Sequence, residues 1–220
     1  ARDRFISTYS TPVDISGVSS APIVAAGQAH SCAIDDGQVK CWGTNGSGEL
    51  GLGDAARRGA AVGEMGDNLP ALSLGTGRTA TALAIGNAHT CALLDNGSVK
   101  CWGWNDVGQL GLGDTANRGD ATGEMGDNLP AVSLGTGRTA TAITAGYRHS
   151  CALLDNGTVK CWGGNSNGGT LGLGDSVNRG DNPGEMGENL PAVDLGTGRT
   201  VISLSAGGFF NCAVLDNDAV

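Results

Sequence analysis

The sequence has 220 residues, with 39 glycines, 40% hydrophobic residues and only 16% charged residues. That composition excludes a solvated helical protein and a disordered acidic tail, and it leaves enough apolar material for a core. The formal net charge of −9 opposes binding to nucleic-acid phosphates and to anionic lipid surfaces. No apolar run approaches the ~20 residues needed to span a bilayer, so no membrane insertion is expected.

In chain order, residues 1–10 match nothing else in the sequence and read as an N-terminal segment or the tail of a preceding repeat. They hold no basic segment followed by an apolar run, so no signal peptide is expected in the sequence. Residues 11–17 (TPVDISG) align with 69–75 (LPALSLG), 129–135 (LPAVSLG) and 190–196 (LPAVDLG). Each is a short alternating segment opened by proline, the signature of an edge strand. Small and β-branched runs follow at 21–26, 80–85, 140–145 and 201–206, and these read as buried strands. Next comes a stretch that organises the whole chain: GQAHSCAIDDGQVKCWG, GNAHTCALLDNGSVKCWG, GYRHSCALLDNGTVKCWG and the incomplete GGFFNCAVLDNDAV.

Cys32, Cys91, Cys151 and Cys212 follow one another at intervals of 59, 60 and 61 residues. A fixed period near this length marks one supersecondary unit stacked several times. The repeats run 11–68, 69–128 and 129–189, with an incomplete fourth at 190–220. Four strands per repeat with glycine and asparagine at the corners predict an all-β fold, a β-propeller of four-stranded antiparallel blades. The chain would supply about three and a half blades. It could be a fragment of a longer array, part of a larger protein, or a half-ring that closes on a second copy; exposed strand edges would otherwise invite pairing.

Hairpin arithmetic sets the register. A three-residue loop Asp95-Asn96-Gly97 pairs Leu94 with Ser98, and counting outward places Cys91 opposite Cys101. In the first hairpin a two-residue Asp36-Gly37 turn pairs Asp35 with Gln38 and places Cys32 opposite Cys41. Both loops are standard hairpin solutions in which glycine supplies the positive φ. Facing cysteines in a non-hydrogen-bonded pair are close enough to bond. Disulfides are therefore expected at Cys32–Cys41, Cys91–Cys101 and Cys151–Cys161, as suits an oxidising compartment. The alternative is a reduced cysteine acting as a small core hydrophobe. Cys212 has no mate. No C-x2-C spacing suggests zinc.

The recurring H-[ST]-C-A-[IL]-x-[DN]-G-x-V-K-C-W-G, followed by N-x-x-G-x-L-G-L-G-D and then L-P-A-V, resembles the regulator of chromosome condensation repeat, from residue 11 to 220. The resemblance implies a β-propeller, usually of about seven blades, whose face or rim binds other proteins. The founder of the family is a nucleotide exchange factor for a small GTPase and sits on chromatin, while a bacterial relative inhibits β-lactamases. Acidic charge argues here against chromatin, and paired cysteines argue for an extracellular or cell-surface setting. Both features are similar to those of secreted bacterial members.

Within the repeats, His30, His89 and His149 share one position that Phe210 fills in the fourth, so they read as histidines hydrogen-bonded locally within a blade rather than as a metal or acid–base ring. Trp42, Trp102 and Trp162 read as blade-to-blade packing. Trp104, which stands where Thr44 and Gly164 stand, is a candidate anchor for a partner. Asn87, Tyr147, Arg148 and Phe209 also sit at varied positions and complete the candidate contact set. The long linkers carry oxygen-rich, glycine-rich stretches that can hold calcium, with Asp114, Asp120, Glu124 and Asp127 as ligand candidates. The competing reading is a closed ion-pair and turn network joining Arg118 to Glu124 or Asp127. Arg118-Gly119-Asp120 and Arg179-Gly180-Asp181 also match an adhesion tripeptide. No nucleophile elbow, zinc-protease helix or phosphate loop is present.

The expected function is a non-enzymatic extracellular or cell-surface module that binds another protein. The alternative is a structural, self-assembling surface protein that joins further copies of itself, stabilised by calcium in its linkers.

Overall fold

A computed structural model describes residues 23–165 and 168–220. The segments read at 1–10 and 11–17, and the start of the run at 21–26, lie outside the described residues. The strands are β1 (Ile23–Ala26), β2 (His30–Asp35), β3 (Gln38–Gly43), β4 (Ala80–Ile85), β5 (His89–Leu94), β6 (Val99–Gly103), β7 (Ala140–Ala145), β8 (His149–Leu154), β9 (Val159–Gly163), β10 (Val201–Ala206) and β11 (Asn211–Leu215). They form antiparallel sheets in the orders β1-β2-β3, β4-β5-β6, β7-β8-β9 and β10-β11. Strands β1, β4, β7 and β10 lie side by side from blade to blade, which places them innermost in a propeller.

Turn chemistry fixes each hairpin. Asp36 and Gly37 take φ of 49° and 74°, the pair of positive values that a two-residue primed turn requires. In the longer loops the Leu94 N–H donates to the Ser98 carbonyl and the Leu154 N–H to the Thr158 carbonyl, both at 2.9 Å. The resulting registers face Cys32 with Cys41, Cys91 with Cys101 and Cys151 with Cys161. In each pair the Cα atoms are 4.1 Å apart and the sulfurs sit at bonding distance.

The blades differ from expectation in their fourth segment. Residues 69–75, 129–135 and 190–196 do not form ladder strands. Each makes a single bond to the outer strand of the preceding hairpin: Leu72 N–H to the Val39 carbonyl, Val132 to Val99 and Val193 to Val159, at 2.9, 2.8 and 2.8 Å. Proline removes a donor at Pro70, Pro130 and Pro191. The chain then bends so that the Ser73 and Ser133 carbonyls accept from Gly126 and Gly187, which belong to the next linker. A proline-led segment thus finishes one blade and ties it to the following linker, so the spatial unit is offset from the repeat as written.

The core lies between blades. Trp102 and Trp162 are 0% exposed, and each indole leans on the preceding blade, against Gly51 and Gly111. The Trp102 Nε1–H donates to the Glu49 carbonyl at 2.9 Å and that of Trp162 to the Gln109 carbonyl at 3.1 Å. Glycine is required at Gly51, since φ is +68° and an added Cβ would lie 3.0 Å from the Trp102 indole nitrogen. Replacing Trp102 with alanine empties this seam and removes one of the two donors to the Glu49 carbonyl. Trp102→Ala is expected to cost about 3–5 kcal/mol in chemical denaturation; a loss below about 1 kcal/mol would contradict the packing described.

Candidate protein-interaction face

The loops that precede β5 and β8 and those that follow β6 and β9 emerge on one face. Their placement rests on a polar chain that crosses each blade boundary. His30 Nε2 lies 2.8 Å from Thr90 Oγ1, whose hydroxyl donates to the Glu49 carbonyl at 3.1 Å. His89 Nε2 lies 2.9 Å from Ser150 Oγ, which donates to the Gln109 carbonyl at 3.0 Å. His149 Nε2 lies 3.0 Å from Asn211 Oδ1, and the Asn211 amide donates to the Thr170 carbonyl at 2.9 Å. The histidines therefore do not bond within their own blades, as the repeat suggested; each reaches into the next. A hydroxyl that gives its proton to a carbonyl must accept from the imidazole, so the proton sits on Nε2. The Nδ1 atoms of His30 and His89 are buried and have no hydrogen-bond partner. Burial pushes the His30 pKa down to about 4 and, helped by the neighbouring His149 and His30, that of His89 down to about 3. Burial lowers that of His149 as well.

On this frame the five candidate contact residues come together. The Arg148 guanidinium lies over the Trp104 ring, 4.8 Å from its centroid, and pairs with Asp106. The Tyr147 and Phe209 rings are 5.2 Å apart between centroids. Asn87 N–H donates to the Tyr147 carbonyl at 3.4 Å, and Tyr147 N–H to that of Gly208 at 2.8 Å. The strip crosses three blades, and Tyr147 and Phe209 are 38% and 50% exposed. Underneath, buried Asn105 holds its loop by accepting from Leu110 N–H and donating to the Asp114 and Ala116 carbonyls. Asp106 was missed by the sequence reading although it carries the same signal as Trp104: it stands where Gly46 and Ser166 stand in otherwise similar repeats.

Of the four calcium candidates, Asp114, Glu124 and Asp127 each take separate partners. Asp114 pairs with Arg118 at 2.6 Å, so that arginine does not join Glu124 or Asp127 as expected. Glu124 accepts the N–H groups of Gly119 and Ala121. Asp127 accepts the N–H and hydroxyl of Thr76 in the preceding linker, which hold its carboxyl below the usual range. Asp120 is half-buried, with its backbone against Gly48. Among the described residues no group of three or more histidine, cysteine or acidic side chains is placed to hold a metal ion. The Arg118-Gly119-Asp120 tripeptide is part of a blade joint: the Gly119 carbonyl accepts from Gly53 N–H at 3.0 Å. No helix among the described residues is long and apolar enough to cross a membrane.

The regulator of chromosome condensation (RCC1) repeat profile matches residues 80–109 and 140–168, and a second profile of that description matches 96–153. The chain carries regulator of chromosome condensation repeats. It is 35% identical over 156 residues to the ultraviolet-B receptor UVR8 of Arabidopsis thaliana, covering 70% of this chain and 32% of the receptor. It is 31% identical over 197 residues to the probable E3 ubiquitin-protein ligase HERC3 of Homo sapiens, covering 86% of this chain and 17% of that protein. The chain thus spans a third or less of these two relatives. Among solved structures it superposes on Prp20p from Saccharomyces cerevisiae with a TM-score of 0.64 at 20% identity, over 86% of this chain and 42% of the other. Against yeast RCC1 with Kap60 bound, the TM-score is 0.61 at 21% identity, over 89% and 43%. These superpositions show the fold.

The buried imidazoles make these repeats acid-sensitive. Folded-state values near 4 and 3 lie below the ordinary unfolded value of about 6.5, so the unfolded chain binds protons first. Stability is complete above about pH 6.5 and falls as pH drops toward the folded values. At pH 5 each deeply buried histidine should cost about 2 kcal/mol. Denaturation at pH 7 and pH 5 checks this: His89→Gln should lose about 2 kcal/mol less over that interval than the unaltered chain, and an unchanged slope would contradict the assignment.

Proposed function

We propose that the chain is a non-enzymatic protein-binding module working at the cell surface or outside the cell. The observation that carries the reading is the convergence of Trp104, Arg148, Tyr147 and Phe209 on one face. These side chains depart from the repeat, take no part in the blade clasps and are held on rigid loops. Half-exposed aromatic rings with a stacked arginine are the composition of interface anchors. Protein recognition also fits the use of the fold in Prp20p, studied for its binding to Gsp1p and histones, and in yeast RCC1, solved with Kap60. A net charge of −9 turns the proposal away from histone-bound DNA and toward a protein partner. Three paired-cysteine hairpins suit an oxidising compartment.

The test is a cross-linking capture from cell-surface extracts with the unaltered chain, Trp104→Ala, Arg148→Ala and, on the opposite face, Asn96→Ala. Each of the first two variants should weaken binding of the captured protein about 30-fold, and Asn96→Ala should leave it unchanged; equal capture by all four would sink the proposal. Thiol titration under denaturing, non-reducing conditions should find only Cys212; seven free thiols would remove the oxidising compartment from the proposal.

A further inference from the structure

Asparagine followed two residues later by serine or threonine, with no proline between, is the acceptor motif for N-linked oligosaccharides. It occurs at Asn45-Gly46-Ser47, Asn96-Gly97-Ser98 and Asn156-Gly157-Thr158. The fold treats these asparagines differently. Asn96 and Asn156 stand exposed at the tips of the β5–β6 and β8–β9 hairpins. His89 pairs with Gly103, and His149 with Gly163, at the opposite ends of those hairpins. The tips therefore point away from the strip of Trp104 and Arg148. Asn45 is 2% exposed.

The amide groups differ as much as the exposures. Asn96 Oδ1 accepts from the Ser98 N–H at 3.1 Å and from its hydroxyl at 2.7 Å. Asn156 Oδ1 accepts from the Thr158 N–H at 3.2 Å and from its hydroxyl at 2.7 Å. Among the described residues nothing accepts from either Nδ2, so the nitrogen that a sugar would occupy faces solvent. In Asn45 both ends of the amide are taken inside the fold. Its Oδ1 accepts from Leu50 N–H at 2.9 Å, and its Nδ2 donates to the Asp54 and Ala56 carbonyls at 2.7 and 3.1 Å. A sugar there would have to be buried in a close-packed loop and would displace those bonds. Turn closure does not by itself demand the hydroxyl. The first hairpin turns with Gln38 after Asp36-Gly37, and Asn217 Oδ1 accepts from the N–H of Ala219, which has no hydroxyl, at 3.3 Å.

We propose that Asn96 and Asn156 each carry an N-linked oligosaccharide and that Asn45 does not. The inference rests on the cell-surface reading, because the sugar donor and its transferase act in a secretory compartment. The co-substrate is a polyprenyl-diphosphate oligosaccharide. The asparagine Nδ2 attacks the anomeric carbon, and the bond from that carbon to the diphosphate oxygen breaks. Polyprenyl diphosphate leaves with the electron pair, and the amide gives up one proton to solvent. The product is bulky and hydrophilic. At both hairpin tips it covers the face opposite Trp104, Tyr147 and Arg148, so glycosylation and recognition do not compete for surface.

The full chain, exported from cultured eukaryotic cells behind a cleavable leader, tests the choice of acceptor. Peptide N-glycosidase in heavy-oxygen water turns each occupied asparagine into an isotope-marked aspartate that mass spectrometry locates. The mark should appear at Asn96 and Asn156 and not at Asn45. Asn96→Gln and Ser98→Ala should each abolish the first oligosaccharide, and Asn156→Gln and Thr158→Ala the second. All four variants should still be exported with the three disulfides formed. An exported, disulfide-bonded chain that is bare at both tips overturns the proposal, and a mark at Asn45 in such a chain overturns its second half. The natural chain is then recovered from its source cells after treatment with a membrane-impermeant biotin reagent. A biotin-tagged chain that yields the same two marks meets the expectation. A tagged chain without sugar overturns this inference and leaves the cell-surface reading standing. A chain that is present in the lysate but never tagged overturns the cell-surface reading, and this inference with it.

Discussion

The first two blade joints depend on one carbonyl oxygen each that accepts twice. Glu49 O takes the Trp102 indole N–H and the Thr90 hydroxyl, and Gln109 O takes those of Trp162 and Ser150. The hydroxyl in turn is held by an imidazole from the blade that carries the carbonyl. Blade n presents an acceptor and a histidine; blade n+1 presents a hydroxyl and an indole. The joint is self-complementary along the array, so the same repeat can be stacked without a new interface being invented each time. Its groups are buried and polar, and loss of one partner leaves the others unsatisfied at a cost larger than the bond itself. The interface is therefore exacting about geometry as well as apolar.

The linkers show how an acidic chain uses its charge inside the scaffold. Asp54, Asp114 and Asp175 each sit four residues before an arginine at 2.6 Å. Glu64, Glu124 and Glu185 accept backbone N–H groups in the turn that follows. Asp127 and Glu188 cross to Thr76 and Thr136 of the linker before. Carboxylates spend their oxygens on orphan donors of irregular backbone, where water would otherwise be the only acceptor. Such a chain can carry long, glycine-rich connections without leaving them loose.

What could be read from the residues alone follows from the range of each interaction. Register in the hairpins was legible because Asp36-Gly37 and Asp95-Asn96-Gly97 prescribe their own closure, and two cysteines then have one way to face each other. Trp102 and Trp162 were legible as packing because a large apolar ring at a fixed repeat position has few other uses, whereas Trp42 is only half-buried. The partner of each histidine was not legible, since Thr90 lies 60 residues from His30 and nothing local distinguishes an inward from an outward imidazole. The fourth strand was misjudged for a related reason. LPALSLG alternates as a strand does, but whether it forms a ladder depends on the Ser73 carbonyl being claimed by Gly126, a contact set by the next linker. In the same way the acid that pairs with Arg118 was not legible: Glu124 is taken by the Gly119 and Ala121 N–H groups and Asp127 by Thr76, which leaves Asp114 for the arginine.

Separation of folding from recognition is the consequence that matters for function. The clasp residues recur because each must fit a neighbour cut from the same pattern. Trp104, Asp106, Tyr147 and Arg148 escape that constraint: they sit where the repeats disagree, and the loop of Trp104 and Asp106 keeps the buried asparagine that recurs as Asn45, Asn105 and Asn165. Yet they are not independent of one another. Arg148 stacks on Trp104 and pairs with Asp106, so the cation is oriented before any partner arrives and loses little side-chain freedom on binding. On the proposed reading, a partner that meets this strip meets preordered aromatic and guanidinium surface, and variation there changes what is recognised without disturbing the joints that hold the blades.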